Sequence, residues 1–357
     1  MQENVYVTPQ SLIEYGVNLY RSIGVPEEEA RHTMNSLVLA DLRGIYSHGV
    51  SRMPIYMKRL SLGHIRKEAH LIVEHESPST LVIDADNSMG YTVGVKVMEM
   101  LIKKAKETGI AWASVKHSTH FGMTAFMTQE AVKNDMIGIA FSNSPASMAP
   151  WGGKSPFLGT NPMCVSVPAG VMESVTLDMA TAVAARGKII AAKGKGETTI
   201  PAGWALDVNG KPTTDTQAAL DGTVMPVGGA KGYGLALMID ILSSGLSGGD
   251  FGPHVKNLYY TDELQSFSHT YCVIDISKFT EISKFKAHVD QMIQEIKESP
   301  KADGVEEIFV PGEIELKNMA RNEKQGIGLP PNVIQDLKNL GEEFHVPYTV
   351  EEMNTKR

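Results

Sequence analysis

From STLVIDADNSMG to MIGIAFSNS the chain alternates between two hydrophobic periods, and this alternation limits the fold more than any other feature. STLVIDAD and IAWASVKH are short apolar runs bounded by turn residues, as strands are. Between them, VGVKVMEMLIKKAKETG has the spacing of an amphipathic helix with a glycine stop. FGMTAFMTQEAVKND reads as a further helix and MIGIAFSNS as a further strand. Strands and helices in alternation define an α/β chain.

The flanks read differently. Thr8 can cap a helix through LIEYGVNLYRSIG, and Pro26 followed by three glutamates opens a second helix with acids at its positive end. That helix runs through ARHTMNSLVLADLRG into SHGVSR. From Pro150 to Gly229 the chain is rich in glycine, proline and short strands such as CVSVPA and VTLDMA. AKGYGLALMIDILSSGLSGG reads as a buried helix, YCVIDIS as a strand and SKFKAHVDQMIQEIKES as an amphipathic helix. The tail helix, PPNVIQDLKNLGEEFHV, is expected to fold back on the N-terminal helices, because terminal helices need docking.

Composition narrows the function classes. The 357 residues are 42% hydrophobic and 21% charged, an ordinary composition for a soluble protein. A formal net charge of -8 leaves no basic excess to neutralise phosphates, so no nucleic-acid partner is expected. Cys164 and Cys272 form no CxxC pair, and neither a disulfide framework nor a metal site is indicated. MQENVYVTPQ lacks the features of a signal peptide, and LALMIDIL is interrupted by Asp240, so no membrane association is expected and the cytoplasm is the default location.

Four clusters carry candidate chemistry. In SHGVSR and the residues after it, His48, Arg52 and Tyr56 would share one face of a helix. Arginine can hold a carboxylate by two parallel hydrogen bonds, and histidine can move a proton near neutrality. The same pattern also suits a solvated helix face. In HSTHFG, His120 stands where a strand gives way to a helix, a place for an anion or for a capping histidine. In TLDMAT, Asp178 ends an apolar strand and could meet a ligand or cap the next helix. Arg186 and Lys188 follow, as surface charges or as a cation tuning a nearby histidine. SPFLGTNPM is a tight polar loop of the kind that turns a chain. No GxGxxG follows a strand: the glycines from Gly228 to Gly234 have the wrong spacing. GGKS at Gly152 imitates the end of a phosphate loop, but Met148 stands where its first glycine belongs.

ADLRGIYSHGVSR, HSTHFG, PWGGKSPFLGTNP, LDMATAVAARGKI, GWALDVNGKPTTD, GGAKGYGLALMIDIL and VPGE occur in that order along nearly the whole chain. Together they resemble the malate/L-lactate dehydrogenase family, which also contains sulfolactate, ureidoglycolate and cyclic-imine carboxylate enzymes. The resemblance implies an α/β (α+β-like) fold. A non-Rossmann NAD(P)-binding domain with a mixed sheet would span residues 76–314. A helical domain would form from residues 1–75 and 315–357. It implies a homodimer with the active site close to the interface. It further implies hydride transfer between a 2-hydroxy acid and NAD, with NADP as the alternative cofactor.

Residue by residue, the resemblance makes Ser47 and His48 a proton-transfer pair, with Lys188 in the same relay and His120 as the catalytic histidine of some members. Arg52, Tyr56, Thr160, Arg186 and Gly187 would meet the substrate. His120, Phe121, Gly122, Met123, Thr124, Ala125, Ser144, Asp178, Met179, Ala180, Gly229, Lys231, Pro311, Gly312 and Glu313 would meet the cofactor. Malate with oxaloacetate is the favoured substrate pair. Ureidoglycolate is the first alternative, then lactate or a cyclic imine acid. A catalytically silent ligand-binding protein on the same scaffold is the reading from another class. One departure is Ser268, where glycine is expected before His269, ahead of the strand YCVIDIS.

Overall fold

The computed structural model describes residues 3–353. The chain runs β1 (Val5–Val7), α1 (Pro9–Ser22), α2 (Glu27–Leu42), α3 (Met53–Ser61), β2 (Ile72–Glu76), β3 (Thr80–Asp84) and α4 (Gly90–Thr108). It continues with β4 (Ile110–Ser118), α5 (Ala125–Val132), β5 (Met136–Ser142), β6 (Met163–Val167), β7 (Val175–Met179) and α6 (Arg186–Gly194). Next are β8 (Ala205–Leu206), β9 (Pro212–Thr213), α7 (Thr216–Asp221), β10 (Thr223–Val224), α8 (Ala230–Asp240) and β11 (Phe267–Asp275). Last come α9 (Ile282–Glu298), α10 (Glu313–Gln325), β12 (Ile327–Leu329) and α11 (Pro331–Glu343).

The main sheet has the order β2-β3-β4-β11-β5-β6-β7. Only β3 and β4 pair in parallel, so the sheet is mixed. β11 sits between β4 and β5 with almost every residue buried, which accounts for its apolar run. The amphipathic helix α4 buries Val93, Val97, Met98 and Leu101 against this sheet with Leu81, Ile83, Val115 and Val273. A second core joins the two ends of the chain. Leu12, Leu19, Met34 and Leu37 pack with Ile327, Ile334, Leu337 and Leu340, and the Tyr15 hydroxyl donates to Leu337 O at 2.7 Å. The tail helix therefore folds back as expected. β1 and β12 zip the ends together as an antiparallel pair.

The structure corrects several expectations. His48 and Arg52 do not lie on one α-helix with Tyr56. Two short 3₁₀ turns, Tyr46–His48 and Val50–Arg52, come before α3. Pro54 lies in the first turn of α3, where its missing N–H costs nothing, so the helix starts there and not earlier. The helix expected from Phe121 begins only at Ala125. The stretch expected as one buried helix is not buried: Leu235 and Met238 on α8 and Ile241 and Leu246 after it are exposed. Ser268 lies inside β11 at a register shift, not in a loop ahead of it. The division expected after residue 75 falls inside β2, which pairs with β3 in the main sheet.

Candidate active site

The site is built where the 3₁₀ turns, α3 and the β4–α5 loop meet. The first turn is anchored from α2. Asp41, almost fully buried, accepts the Val50 N–H at 2.8 Å. Gly49 permits this approach, because a Cβ there would lie 1.8 Å from the Asp41 carboxylate. Burial pushes the Asp41 carboxyl up to about 7, against the lowering effect of the Val50 N–H.

His48 and His120 stack, with ring centroids 5.6 Å apart and planes 16° apart. Ser47 Oγ lies 2.9 Å from His48 Nδ1. The Tyr56 hydroxyl lies 2.6 Å from His120 Nδ1 and 3.1 Å from the Tyr91 hydroxyl. Each ring thus has its Nδ1 held and its Nε2 left for other work. Desolvation, then the charge of Arg52, lowers His48 to about 4. Desolvation, then His48, Arg52 and His269, holds His120 well below the usual histidine range. Both rings are therefore neutral at physiological pH, ready to accept a proton. Burial holds the Tyr56 phenol up at about 12, so it remains a donor.

Arg52 completes this cluster. Its Nε donates to Ser47 O at 2.6 Å, and its Nη1 meets the Tyr259 hydroxyl. The loop carrying Tyr259 is pinned by Arg59, which is fully buried and donates to the carbonyls of Leu258, Tyr260 and Glu263. Sequence reasoning missed both residues, since Arg59 in MKRL reads as a solvated helix charge. It missed Tyr91 as well, which lies far from Tyr56 in the chain.

A cleft of about 380 Å³ opens between segments that lead into this cluster, although none of His48, Arg52, Tyr56 and His120 lines it. Arg43, Ile45, Met123, Ala125, Asp178, Pro311 and Gly312 are among the residues that line it, so expected cofactor residues from three separate segments converge there. Two stretches link the cleft to the histidines: Arg43 and Ile45 lead to His48, and His120 leads to Met123 and Ala125. Asp178 does not cap the helix after it; its carboxylate accepts the Ala125 N–H at 2.8 Å, at the start of α5. Burial raises the Asp178 carboxyl to about 6, opposed by that N–H and by Arg43. Arg43 was not singled out by sequence reasoning. It is 8% exposed, and its Nε has no hydrogen-bond partner among the described residues. A cleft of this size, with apolar walls and one buried cation that makes no direct ion pair among the described residues, fits part of a nicotinamide dinucleotide.

The other expected residues lie elsewhere. Ser144 and Thr160 sit beside Asn161, whose Oδ1 accepts the Ser144 N–H at 3.0 Å. Arg186 donates to the carbonyls of Leu220 and Gly222, so its fork is used within the chain. Gly187 and Lys188 are exposed on α6, and the Lys188 ammonium lies 5.9 Å from the Trp204 ring centroid. The cation acting on His48 is Arg52, not Lys188. Gly229 caps α8 against Trp151, and Lys231 is exposed on its first turn. Glu313 is ion-paired with Lys297 at 2.5 Å.

Two stacked histidines held neutral by burial stand beside an arginine, an arrangement able to exchange a proton next to an anion. The sequence profile described as malate/L-lactate dehydrogenase matches residues 7–338. The malate/(S)-sulfolactate dehydrogenase of Methanothermus fervidus is 38% identical over 96% of this chain and 99% of its own. The solved sulfolactate dehydrogenase of Methanocaldococcus jannaschii superposes with a TM-score of 0.91 at 39% identity, over 96% of this chain and 98% of that one. Malate dehydrogenase from Pyrococcus horikoshii gives 0.88 at 35% identity, over 96% and 97%. The chain belongs to the malate/L-lactate dehydrogenase family, whose members are 2-hydroxy acid oxidoreductases that use nicotinamide cofactors. Among the described residues, no helix is long and apolar enough to cross a membrane.

Proposed function

We propose that this protein interconverts malate and oxaloacetate, with NAD as its cofactor. The observation that carries the reading is the placement of Arg52 beside two neutral, stacked histidines. The nicotinamide, when bound, gives or takes the hydride. Arg52 holds the substrate carboxylate on the guanidinium edge that its bond to Ser47 O leaves open, and the carboxylate competes there with Tyr259. His48 Nε2 takes the hydroxyl proton during oxidation and returns it during reduction. Ser47 fixes the His48 ring through Nδ1, and Tyr56 fixes His120 in the same way. A second assignment makes His120 the proton acceptor, favoured by its short bond to Tyr56. The charge balance of the cleft supports NAD over NADP, because Asp178 and Glu315 face the single cation Arg43 and a further phosphate would meet two carboxylates.

Sulfolactate is the second substrate reading, favoured by the names of the relatives. It shares the 2-hydroxy acid unit and carries a sulfonate where malate has its second carboxylate. We also propose a homodimer. The exposed Leu235, Met238, Ile241 and Leu246 on and after α8 would form part of its contact. In this reading Lys188 and Arg186 act only in the assembled protein.

The test is NADH and NADPH oxidation by the purified protein against oxaloacetate, sulfopyruvate, pyruvate and a cyclic imine carboxylate, with ureidoglycolate in the oxidative direction. A kcat/KM highest for oxaloacetate with NADH is expected. Preference for sulfopyruvate would replace the substrate and keep the site. NADH binding without turnover of any compound would return the silent ligand-binding reading.

A further inference from the structure

We propose that His269 is a positioning residue, which sets His120 for proton transfer by holding the residues on either side of it. This rests on reading His120 as part of the proton-transfer machinery. His269 lies on β11 and is fully buried. Its Nε2 lies 3.2 Å from the Thr119 carbonyl oxygen. Its ring meets the Phe121 ring edge-on, with centroids 4.4 Å apart. Thr119 and Phe121 are the two chain neighbours of His120.

The segment needs such a hold. β4 ends at Ser118 and α5 begins at Ala125, so residues 119–124 lie outside both elements. Neither a strand ladder nor a helix orders their backbone, and a buried carbonyl there needs another donor. The Thr119 side chain is tied to the start of α4. The Gly90 N–H donates to its hydroxyl at 3.0 Å, and the hydroxyl donates to Ser88 O at 3.2 Å. His269 adds the tie on the carbonyl. That carbonyl shares a rigid peptide plane with the His120 nitrogen, so fixing it fixes the plane from which the His120 side chain departs. The register brings the two together. Between the pairs Phe267–Ser118 and His269–Val115, β4 takes three steps where β11 takes two, and His117 there has φ 50°. Bulges of this kind re-aim a strand end beside a site.

The partners of His269 also define its proton. Burial holds the ring down at about 3, so it is neutral and carries one N–H. The Thr119 carbonyl can only accept, so that proton is on Nε2. Nδ1 is then an acceptor, 3.0 Å from the hydroxyl of Ser142, which faces His269 across the β11–β5 pair. The Ser142 hydroxyl supplies the donor, in competition with Asn143 O at 2.7 Å. Both ring nitrogens are thus engaged within the chain, which suits holding a neighbour and not carrying a proton to substrate.

The test measures kcat, KM and NADH binding of the full chain, with whichever of oxaloacetate and sulfopyruvate the wild type reduces faster. In His269→Gln an amide N–H remains at the place of Nε2, whereas the shorter amide of His269→Asn reaches only the place of Nδ1. His269→Asn should lose about 10- to 100-fold in kcat, as for a misplaced catalytic group, with KM and NADH binding within about twofold of the wild type. His269→Gln should recover kcat to within about threefold. Because His269 acts through His120, adding His269→Asn to His120→Ala should slow that variant no further. Losses that multiply in the double variant overturn the proposal, as does an equal kcat in His269→Asn and His269→Gln. Loss in His120→Ala without loss in His269→Asn overturns the positioning role alone. His120→Ala turning over as fast as the wild type removes His120 from the machinery and the proposal with it. Should His269→Asn not fold, Ser142→Ala withdraws the donor to Nδ1 instead. It should lower kcat about threefold alone and not at all on the His120→Ala background, and a multiplied loss there overturns the proposal.

Discussion

The Tyr56 hydroxyl lies 2.6 Å from Nδ1 of His120, although the two residues come from α3 and the β4–α5 loop. This contact fixes the His120 ring through Nδ1 while its face stacks on His48. Tyr56→Phe removes the donor and leaves His120 and Tyr91 with unmet partners in a buried setting. We expect a stability loss of about 1–3 kcal/mol in urea titration. We expect kcat to fall by roughly tenfold with NADH affinity unchanged, because positioning is lost while the general acid–base group remains. A kcat equal to the wild type would remove Tyr56 from the machinery.

His48→Ala and His120→Ala separate the two proton-transfer assignments. The variant that loses the true acceptor should lose about 10²- to 10⁴-fold in kcat. The other should lose far less, and both should bind NADH as the wild type does. The pH profile gives an independent reading. His48 is held down at about 4, so the neutral base needed for oxidation is already present at neutral pH. kcat/KM for oxidation should be flat from pH 8 to about pH 6 and fall as pH drops through about 4. Reduction needs the protonated form, so its kcat/KM should rise about tenfold per unit as pH falls toward 4. A reduction profile independent of pH would exclude His48 as the donor.

Arg52→Leu removes the carboxylate fork and the charge that, after desolvation, depresses His48. KM for the 2-oxo acid should rise by about 10- to 100-fold, the loss of charge-assisted hydrogen bonds. The same change should move the low-pH limb of the oxidation profile upward, since a repelling cation is gone. Both shifts are read from one set of initial rates over pH, and an unaltered KM would reject the clamp.

Much of this arrangement is legible in the sequence because it depends on local pattern. The strand and helix periods from Thr80 to Ser142 place β3, α4, β4, α5 and β5, and apolar TYCVID is the central strand β11. The grouping of His48, Arg52, Tyr56 and His120 is anticipated through motif resemblance, but the geometry expected to bring them together is wrong. The spacing suggests one helix, whereas 3₁₀ turns make the approach, and Pro54 is the signal that marks where α3 begins. Arg43, Arg59 and Tyr91 are invisible beforehand because their partners lie on distant segments. Arg59, for instance, reads as surface charge until the carbonyls of Leu258, Tyr260 and Glu263 close on it. Lys188 shows the converse limit, since a family motif can name a lysine without the single chain bringing it to His48.

Asp41 gives the last prediction, and its sign follows from burial. Its carboxyl is raised to about 7 in the folded chain, against an ordinary value of 3.8, so folding favours the protonated form. That contribution to stability is complete below about pH 4 and is lost as pH rises through about 7, because the folded state must then ionise a buried acid. The substitution Asp41→Asn keeps an oxygen acceptor for the Val50 N–H and leaves nothing to ionise. This variant should match the wild type near pH 4 and melt several degrees higher at pH 8, with kcat within about twofold, because the turn that carries His48 remains tied to α2. Asp41→Ala loses the acceptor and should lose both stability and kcat at every pH. Thermal melts of the three proteins at pH 4, 6 and 8 check the point. A gap between Asp41→Asn and the wild type that does not change with pH would show that Asp41 does not titrate in this range and acts only through its hydrogen bond.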